Sequence, residues 1–265
     1  MSRIFIIAAQ RTPQGRFLGK LSRYSAVDLA VKAGENALYG IDPEFVDLAI
    51  IGNILSAGQG MNIARQIGVR LGVPFDCTAF TVNMMCASGL WSLVLAAQAI
   101  KTGEASVVLC GGTESMSNAP YLLERVRQGY KLGDGEVVDS ILRDGLVDSF
   151  NHQHMGITAE RLANEYGISR LEQDIFAETS QKRYAKAAQA GCFDTEMIAL
   201  DELDSDEHPR PATTLEHLST LKPAFDENGS VTAGNASGIN DGAAILVVCN
   251  EKALSDHNWT PLAEI

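Results

Sequence analysis

The chain has 265 residues, of which 46% are hydrophobic and 20% charged, with a net charge of −12. That length supports one large domain or two smaller ones with a real core, and the composition is that of a globular protein. The acidic balance argues against nucleic acid as a partner, since that needs a basic face, but a few local cations can still hold an anionic small ligand.

Residues 1–11 superficially resemble a secretion signal. Their apolar core is too short, and Arg11-Thr12-Pro13 stands where a cleavage site is expected. The stretch reads instead as a buried first strand over 4–9. A helix over 26–38, a strand over 47–51 and a helix over 63–71 follow. Next come an apolar strand ending before Cys86, a long helix after it and a strand over 105–110. Near-continuous apolar strands separated by helices predict a mixed, mostly parallel sheet covered by helices, an α/β fold. Beyond Gly111-Gly112 the chain carries more charge and polar turns, including a helical segment over 169–190, before the apolar strand 243–249 returns. One core domain in two segments, 1–117 and 233–265, with an inserted domain over 118–232, is the expected organisation. No apolar run is long enough to span a bilayer, so no membrane partner is expected. The five cysteines, Cys77, Cys86, Cys110, Cys192 and Cys249, are scattered with no C-x-x-C pair. That spacing fits reduced cytoplasmic thiols and predicts neither disulfides nor a metal.

The stretch 79–90, Ala-Phe-Thr-Val-Asn-Met-Met-Cys-Ala-Ser-Gly-Leu, carries the most chemistry. It predicts a strand, a tight turn and a helix with Cys86 at its start. There the thiol meets unpaired backbone N–H groups and the positive end of the helix dipole, which favour a thiolate. A thiolate is a nucleophile suited to taking an acyl group from a thioester. A small buried core cysteine is the other reading, and position alone leaves both open. The helix after Cys86 is apolar almost all round, from Leu90 and Trp91 to Ile100. Such a helix needs cover on both sides, so a partner surface from outside this stretch of chain is expected to pack on it, the other reading being a helix buried under the inserted region.

Several blocks together resemble one family. They are Gln10-Arg11-Thr12-Pro13, the run Gln59 to Gln66, Asn83 to Leu90, Gly111-Gly112-Thr113-Glu114-Ser115-Met116-Ser117, His154 to Glu160, and Thr232 to Ala244. In order and spacing they resemble the N-terminal half of a thiolase, an acetyl-CoA C-acetyltransferase, over essentially the whole chain. The resemblance implies a thiolase-like core domain with an inserted loop domain that binds coenzyme A and supports oligomerisation. It implies thiolytic cleavage of a 3-ketoacyl-CoA, or Claisen condensation of two acetyl-CoA, through an acyl-Cys86 intermediate. CoA thioesters are then substrates and no cofactor is needed. The Cys86 backbone N–H is expected to donate to the oxyanion, and Gly89 to allow close packing at the helix start.

By the same resemblance His154 and Met155 line the pantetheine end of the pocket. Ser237 offers a hydroxyl to the pantetheine amides, and Arg210 meets the adenine end of CoA. Phe225, Ala233 and Leu146 match pocket-lining positions. Read from the residues alone, His154 is structural, Ser237 is turn chemistry and Arg210 is a solvated surface side chain. His217 departs from the pattern, standing where short-chain members often have a serine that touches the nucleotide.

Full thiolases carry a second half with a Gly-His-Pro histidine, a water-positioning Asn and a second cysteine in Cys-x-Gly. No Gly-His-Pro occurs in the 265 residues, His208-Pro209 lacks the preceding glycine, and Cys110 and Cys249 lie in apolar strands and read as core residues. The chain is therefore expected to be catalytically incomplete alone. Its expected partners are acyl-CoA or CoA and either a homo-oligomer, dimer or tetramer, or a separate C-terminal half. The alternative is a non-catalytic CoA-binding or assembly subunit from a split or truncated gene.

Overall fold

The apolar runs read from the sequence become the strands of one sheet. The computed structural model describes residues 3–265. In chain order it contains β1 (Ile4–Arg11), β2 (Gly15–Arg16), α1 (Ala26–Ala37), β3 (Leu48–Gly52), α2 (Ile63–Arg70), β4 (Thr78–Val82), α3 (Ser88–Thr102) and β5 (Val107–Ser115). There follow β6 (Tyr121–Leu123), β7 (Val137–Asp139), α4 (Met155–Tyr166), α5 (Arg170–Gln189), α6 (Leu215–Ser219), β8 (Asn240–Asn250), α7 (Glu251–Asp256) and β9 (Ala263–Glu264). These elements form two compact units. The first comprises the chain through Pro120 together with 195–207 and 240–265, and the second comprises 121–194 and 208–239.

The first unit is built on a seven-stranded sheet in the order β4-β3-β5-β8-β1-β9, with β2 beside β8. β3 pairs parallel with β4 and β5, whereas β8 is antiparallel to β5, β1 and β2. The first five strands thus share one direction, and β8 and β9 oppose it. Strand alternation divides the side chains between two layers. Ala49, Ile51, Leu109, Ile245 and Val247 pack with α1 and α2 residues. Leu48, Ile50, Val108, Cys110 and Val248 pack with Ala96, Ala99 and Ile100 of α3. Ile50, Ile51, Leu109 and Ile245 are wholly buried, each worth about 1.5–3 kcal/mol of apolar transfer. Burial on both faces explains why these strands read as unbroken apolar runs. The α1 start is fixed by a capping box in which Ser25 and Asp28 satisfy each other's backbone N–H.

The boundaries differ from those expected: the first unit runs three residues further, through Pro120, and two longer stretches change place. Residues 195–207, placed by the sequence in the insertion, return to the first unit. Arg11 N donates to Glu196 O at 2.7 Å, and Ile198 N donates to Arg11 O at 2.9 Å. Ile198, Leu200 and Leu203 enter the core, and the Arg11 guanidinium pairs with Glu196 and Asp206. Three apolar side chains among acids give no periodic signal, so the stretch reads as polar turns. Conversely, 233–239, expected in the core domain, belong to the second unit.

The second unit holds the β6–β7 hairpin and helices α4 to α6. α5 opens on a Ser169–Glu172 capping box, one residue inside the expected 169–190. No helix of the described residues is long and apolar enough to cross a membrane.

Candidate active site

β4 delivers the chain to a tight turn at the mouth of a cavity in the first unit. Met85 takes the left-handed conformation at φ 52°, and its N–H donates to Asn83 Oδ1 at 2.9 Å. Ser88, 4% exposed, locks the turn from the other side. Its Oγ accepts from Met84 N at 2.9 Å and donates to Met85 O at 2.6 Å. Cys86 stands exposed between this turn and Ala87, the N-cap of α3. Alanine supplies no side-chain cap. Amides at the head of α3, beyond the Ser88 N–H bonded to Met85 O, therefore have no side-chain acceptor to satisfy them.

The head of α3 lies against the ends of β3 and β5. A β-carbon on Gly52 would meet the Ser88 carbonyl carbon at 2.5 Å, and one on Gly112 would meet Gly89 Cα at 3.0 Å. A β-carbon on Gly89 itself would sit at an ordinary 3.8 Å. The close packing expected at Gly89 therefore depends on the strand glycines. Ser92, fully buried, pins the first turns of α3 to β5, its Oγ accepting from Gly111 N at 2.9 Å.

The cavity has a volume of about 580 Å³. Its lining includes Cys86, Gly89, Leu90, Leu93, Asn53, Gly112, Glu114 and Asn240. Glu114 Oε1 accepts from Asn53 Nδ2 at 2.8 Å and Leu55 N at 3.1 Å, and Oε2 accepts from Ile54 N at 2.9 Å. Burial raises the pKa of this carboxyl above the ordinary value, only partly offset by those hydrogen bonds. Asn53, 2% exposed, also donates to Thr113 O at 3.0 Å, which fixes its amide orientation. Its buried Oδ1 has no donor among the described residues. Neither Asn53 nor Glu114 is singled out by sequence reasoning. The one available signal is a charge near the end of β5, shortly after its buried apolar run Val107 to Cys110.

The remaining thiols divide cleanly. Cys77, Cys110 and Cys249 are buried, and burial raises all three, Cys110 to about 12 and Cys249 to about 11. Cys192 is exposed in the turn after α5. Among the described residues no group of three or more His, Cys, Asp or Glu could hold a metal ion.

The other expected site residues all lie in the second unit. His154 is the N-cap of α4, its Nδ1 accepting from Gly156 N at 3.0 Å. Its ring stacks on Phe225 with centroids 4.7 Å apart and planes 20° from parallel. Gly156 makes room for that ring, since a β-carbon there would lie 2.2 Å from Phe225. Met155, exposed, opens α4 beside them, and Leu146 is half-buried at the end of a π-helical turn over Leu142–Leu146, just before Val147 bridges His154. Ala233 opens a turn over 233–235 and Ser237 follows it two residues on, and both are exposed. Arg210 is exposed, its backbone N–H donating to Gln181 Oε1 at 2.7 Å. Its guanidinium makes no ion pair among the described residues. The structure thus joins His154, Met155 and Phe225 in one cluster, while Ala233 and Ser237 are exposed neighbours in one segment and Arg210 stands apart on Gln181. His208 packs against Gly238, its Nε2 lying 3.3 Å from Ile239 O.

Comparison with known proteins agrees at the level of sequence and fold. Residues 4–252 match the family described as thiolase, N-terminal domain. A probable acetyl-CoA acyltransferase of Staphylococcus aureus strain COL is 47% identical over 274 residues, which are 99% of this chain and 70% of that protein. An acetyl-CoA acetyltransferase of Escherichia coli K12 is 47% identical over 276 residues, all of this chain and 70% of that protein. The crystal structure of human mitochondrial 3-ketoacyl-CoA thiolase in complex with CoA matches with a TM-score of 0.96 at 45% identity, covering all of this chain and 68% of that one. With its mixed α/β sheet, its cysteine at the head of α3 and this likeness over the full chain, the protein belongs to the thiolase family.

Proposed function

We propose that the chain supplies the acylation half of an acyl-CoA acyltransferase, with Cys86 as nucleophile. In thiolysis the Cys86 sulfur attacks the keto carbon of a 3-ketoacyl-CoA. The bond between that carbon and the adjacent methylene breaks, and the electron pair leaves with acetyl-CoA, whose carbon takes a proton. The acyl group stays on Cys86 until the sulfur of a second CoA attacks it, forming a shortened acyl-CoA and restoring the thiol. Condensation of two acetyl-CoA is the same path reversed. The Cys86 N–H at the uncapped head of α3 would donate to the oxyanion. In the second unit the His154–Phe225 pair, Met155 and Leu146 would line the pantetheine path. Ala233 and Ser237 would meet its amides, and Arg210 the adenine end.

The observation that carries this reading is the exposed Cys86 beside an uncapped helix start, opening on a cavity, in a chain of this family. Its test is brief incubation with acetyl-CoA, acid quench and peptide mass spectrometry. An acetyl group on the Cys86 peptide, absent in Cys86→Ala, is the expected result. Acetylation spread over several cysteines, or none, overturns it.

Turnover needs more than the nucleophile. Besides Cys86, Glu114 is the one lining residue that titrates, and it already accepts three hydrogen bonds. A group from outside this lining must therefore take the thiol proton and serve the second substrate. Steady-state thiolysis by these 265 residues alone is expected at background, with activity arising on association with the part of the relatives that lies outside the 70% spanned here. The same observation supports the second reading, a CoA-binding or assembly subunit. The two separate on whether acyl-Cys86 forms.

A further inference from the structure

Two carboxylates in the second unit are buried without serving the core. Glu160 of α4 is 5% exposed, and Asp174 of α5 is 2% exposed. Burying a carboxylate is costly unless donors surround it, so the identity of those donors is informative. Glu160 pairs with no cation among the described residues. Its Oε1 accepts from Val231 N at 2.7 Å and Ser230 N at 2.9 Å, and its Oε2 from Ser230 Oγ at 3.0 Å. Gly229 makes this approach possible, because a β-carbon there would lie 2.2 Å from Glu160 Oε1. Asp174 accepts from Arg170 Nε at 2.8 Å and, through Oδ1, from Asn235 Nδ2 at 3.0 Å. Asn235 passes the constraint on, its Oδ1 accepting from Thr232 N at 2.7 Å. Arg170 in turn donates to Leu221 O at 3.0 Å, tying the following strand-like return to the same helix.

Both acids therefore act on residues 230–235. The inner side of this stretch is held by charge-assisted bonds, while Ala233 and Ser237 face outward and exposed. An ordinary turn is satisfied by its own Asn and Ser side chains, with Gly supplying only backbone freedom. Two buried carboxylates from two helices exceed that need and match what a preorganised binding edge requires.

We propose that Glu160 and Asp174 are positioning residues that hold the 230–237 turn for the pantetheine arm of CoA. The inference rests on the reading above that Ala233 and Ser237 meet that arm.

Calorimetric titration of the whole chain with CoA, pantetheine and adenosine bisphosphate tests it, using the unsubstituted protein, Glu160→Gln and Asn235→Ala. Each variant should weaken CoA and pantetheine by about tenfold, the scale of one buried hydrogen-bond defect, and leave adenosine bisphosphate unchanged. Unchanged pantetheine affinity overturns the proposal. Equal loss for all three probes also overturns it, because that marks general loosening of the unit. Should either variant fail to fold, Ser230→Ala, which removes only the hydroxyl bridging Glu160 and Gln173, should weaken pantetheine by about twofold, and no change there counts against the role. An unsubstituted chain that binds none of the three overturns the CoA reading itself, and the positioning role with it.

Discussion

Gly52, the last residue of β3, touches the backbone of Gly89: a β-carbon on Gly52 would lie 2.7 Å from the Gly89 amide nitrogen. The contact sets how deeply the head of α3 seats against the sheet, and so where Cys86 stands. Gly52→Ala must push α3 outward, an overpacking that costs about 1–3 kcal/mol. The expected outcome is a lower urea midpoint together with slower acetylation of Cys86 by acetyl-CoA. Gly89→Ala, whose β-carbon has ordinary room, should change both far less. A Gly52→Ala protein as stable and as readily acylated as the parent would show that the head of α3 is not held this way.

The sheet was legible because its strands are buried on both faces. Leu48-Ala49-Ile50-Ile51 and Val107 to Cys110 leave no alternative to a covered strand. α5 was legible through the spacing of charges and Ala over 169–190, and the structure adds a Ser169–Glu172 capping box at its start. α4 was not, because His154 caps it through a ring nitrogen, a role its residue type does not advertise. The β6–β7 hairpin is three residues per strand with none of them buried, so it lacks an apolar alternation to read. At the site, Cys86 was visible from its turn and helix. Asn53 and Glu114 were not, since their roles depend on β3 and β5 being neighbours, a fact of pairing that the linear chain does not carry.

Thiol accessibility gives a second prediction. Only Cys86 and Cys192 are exposed among the five cysteines. Cys86 adjoins the amide end of α3, whereas Cys192 follows the carbonyl end of α5, its N–H donating to Ala187 O at 3.0 Å. The fields at those two ends are opposite in sign. Limited iodoacetamide should modify Cys86 first and Cys192 second, sparing Cys77, Cys110 and Cys249 until the protein unfolds. Peptide mapping over time reads the order. Faster labelling of Cys192 would contradict the electrostatic role given to α3.

Glu114 gives a pH dependence with a definite sign. The folded chain holds its proton more tightly than the unfolded chain, because burial raises its pKa above the ordinary 4.5. Its contribution to stability is therefore complete below 4.5 and is lost as pH rises through the higher folded value. Glu114→Gln remains neutral throughout. The unfolding free energy of the parent minus that of Glu114→Gln, measured in urea across this range, should fall as pH rises and then level off. A difference that stays flat, or that grows with pH, would mean the carboxyl is not desolvated in the cavity wall.

The outer face of α3 supplies the last prediction. Leu90 is 68% exposed and Trp91 36% exposed, while Ala96, Ala99 and Ile100 of the same helix pack on the sheet. Apolar side chains presented on both sides of one helix call for a second covering surface. The relatives carry a further stretch outside the 70% of their length that this chain spans, and that stretch is the proposed cover. Trp91 is a built-in reporter, because the chain has only one other tryptophan, Trp259. Trp259 packs against the opposite core beside Phe45 and His257. Adding the C-terminal part of the Escherichia coli enzyme as a separate polypeptide should shift tryptophan emission to shorter wavelength and start acetoacetyl-CoA thiolysis. The spectral shift should disappear in Trp91→Phe and survive in Cys86→Ala, while turnover should disappear in Cys86→Ala. That crossed pattern separates covering the helix from completing the chemistry. Turnover without any change at Trp91 would place the added polypeptide elsewhere, and robust thiolysis before its addition would show that the proton-transfer groups are already present in this chain.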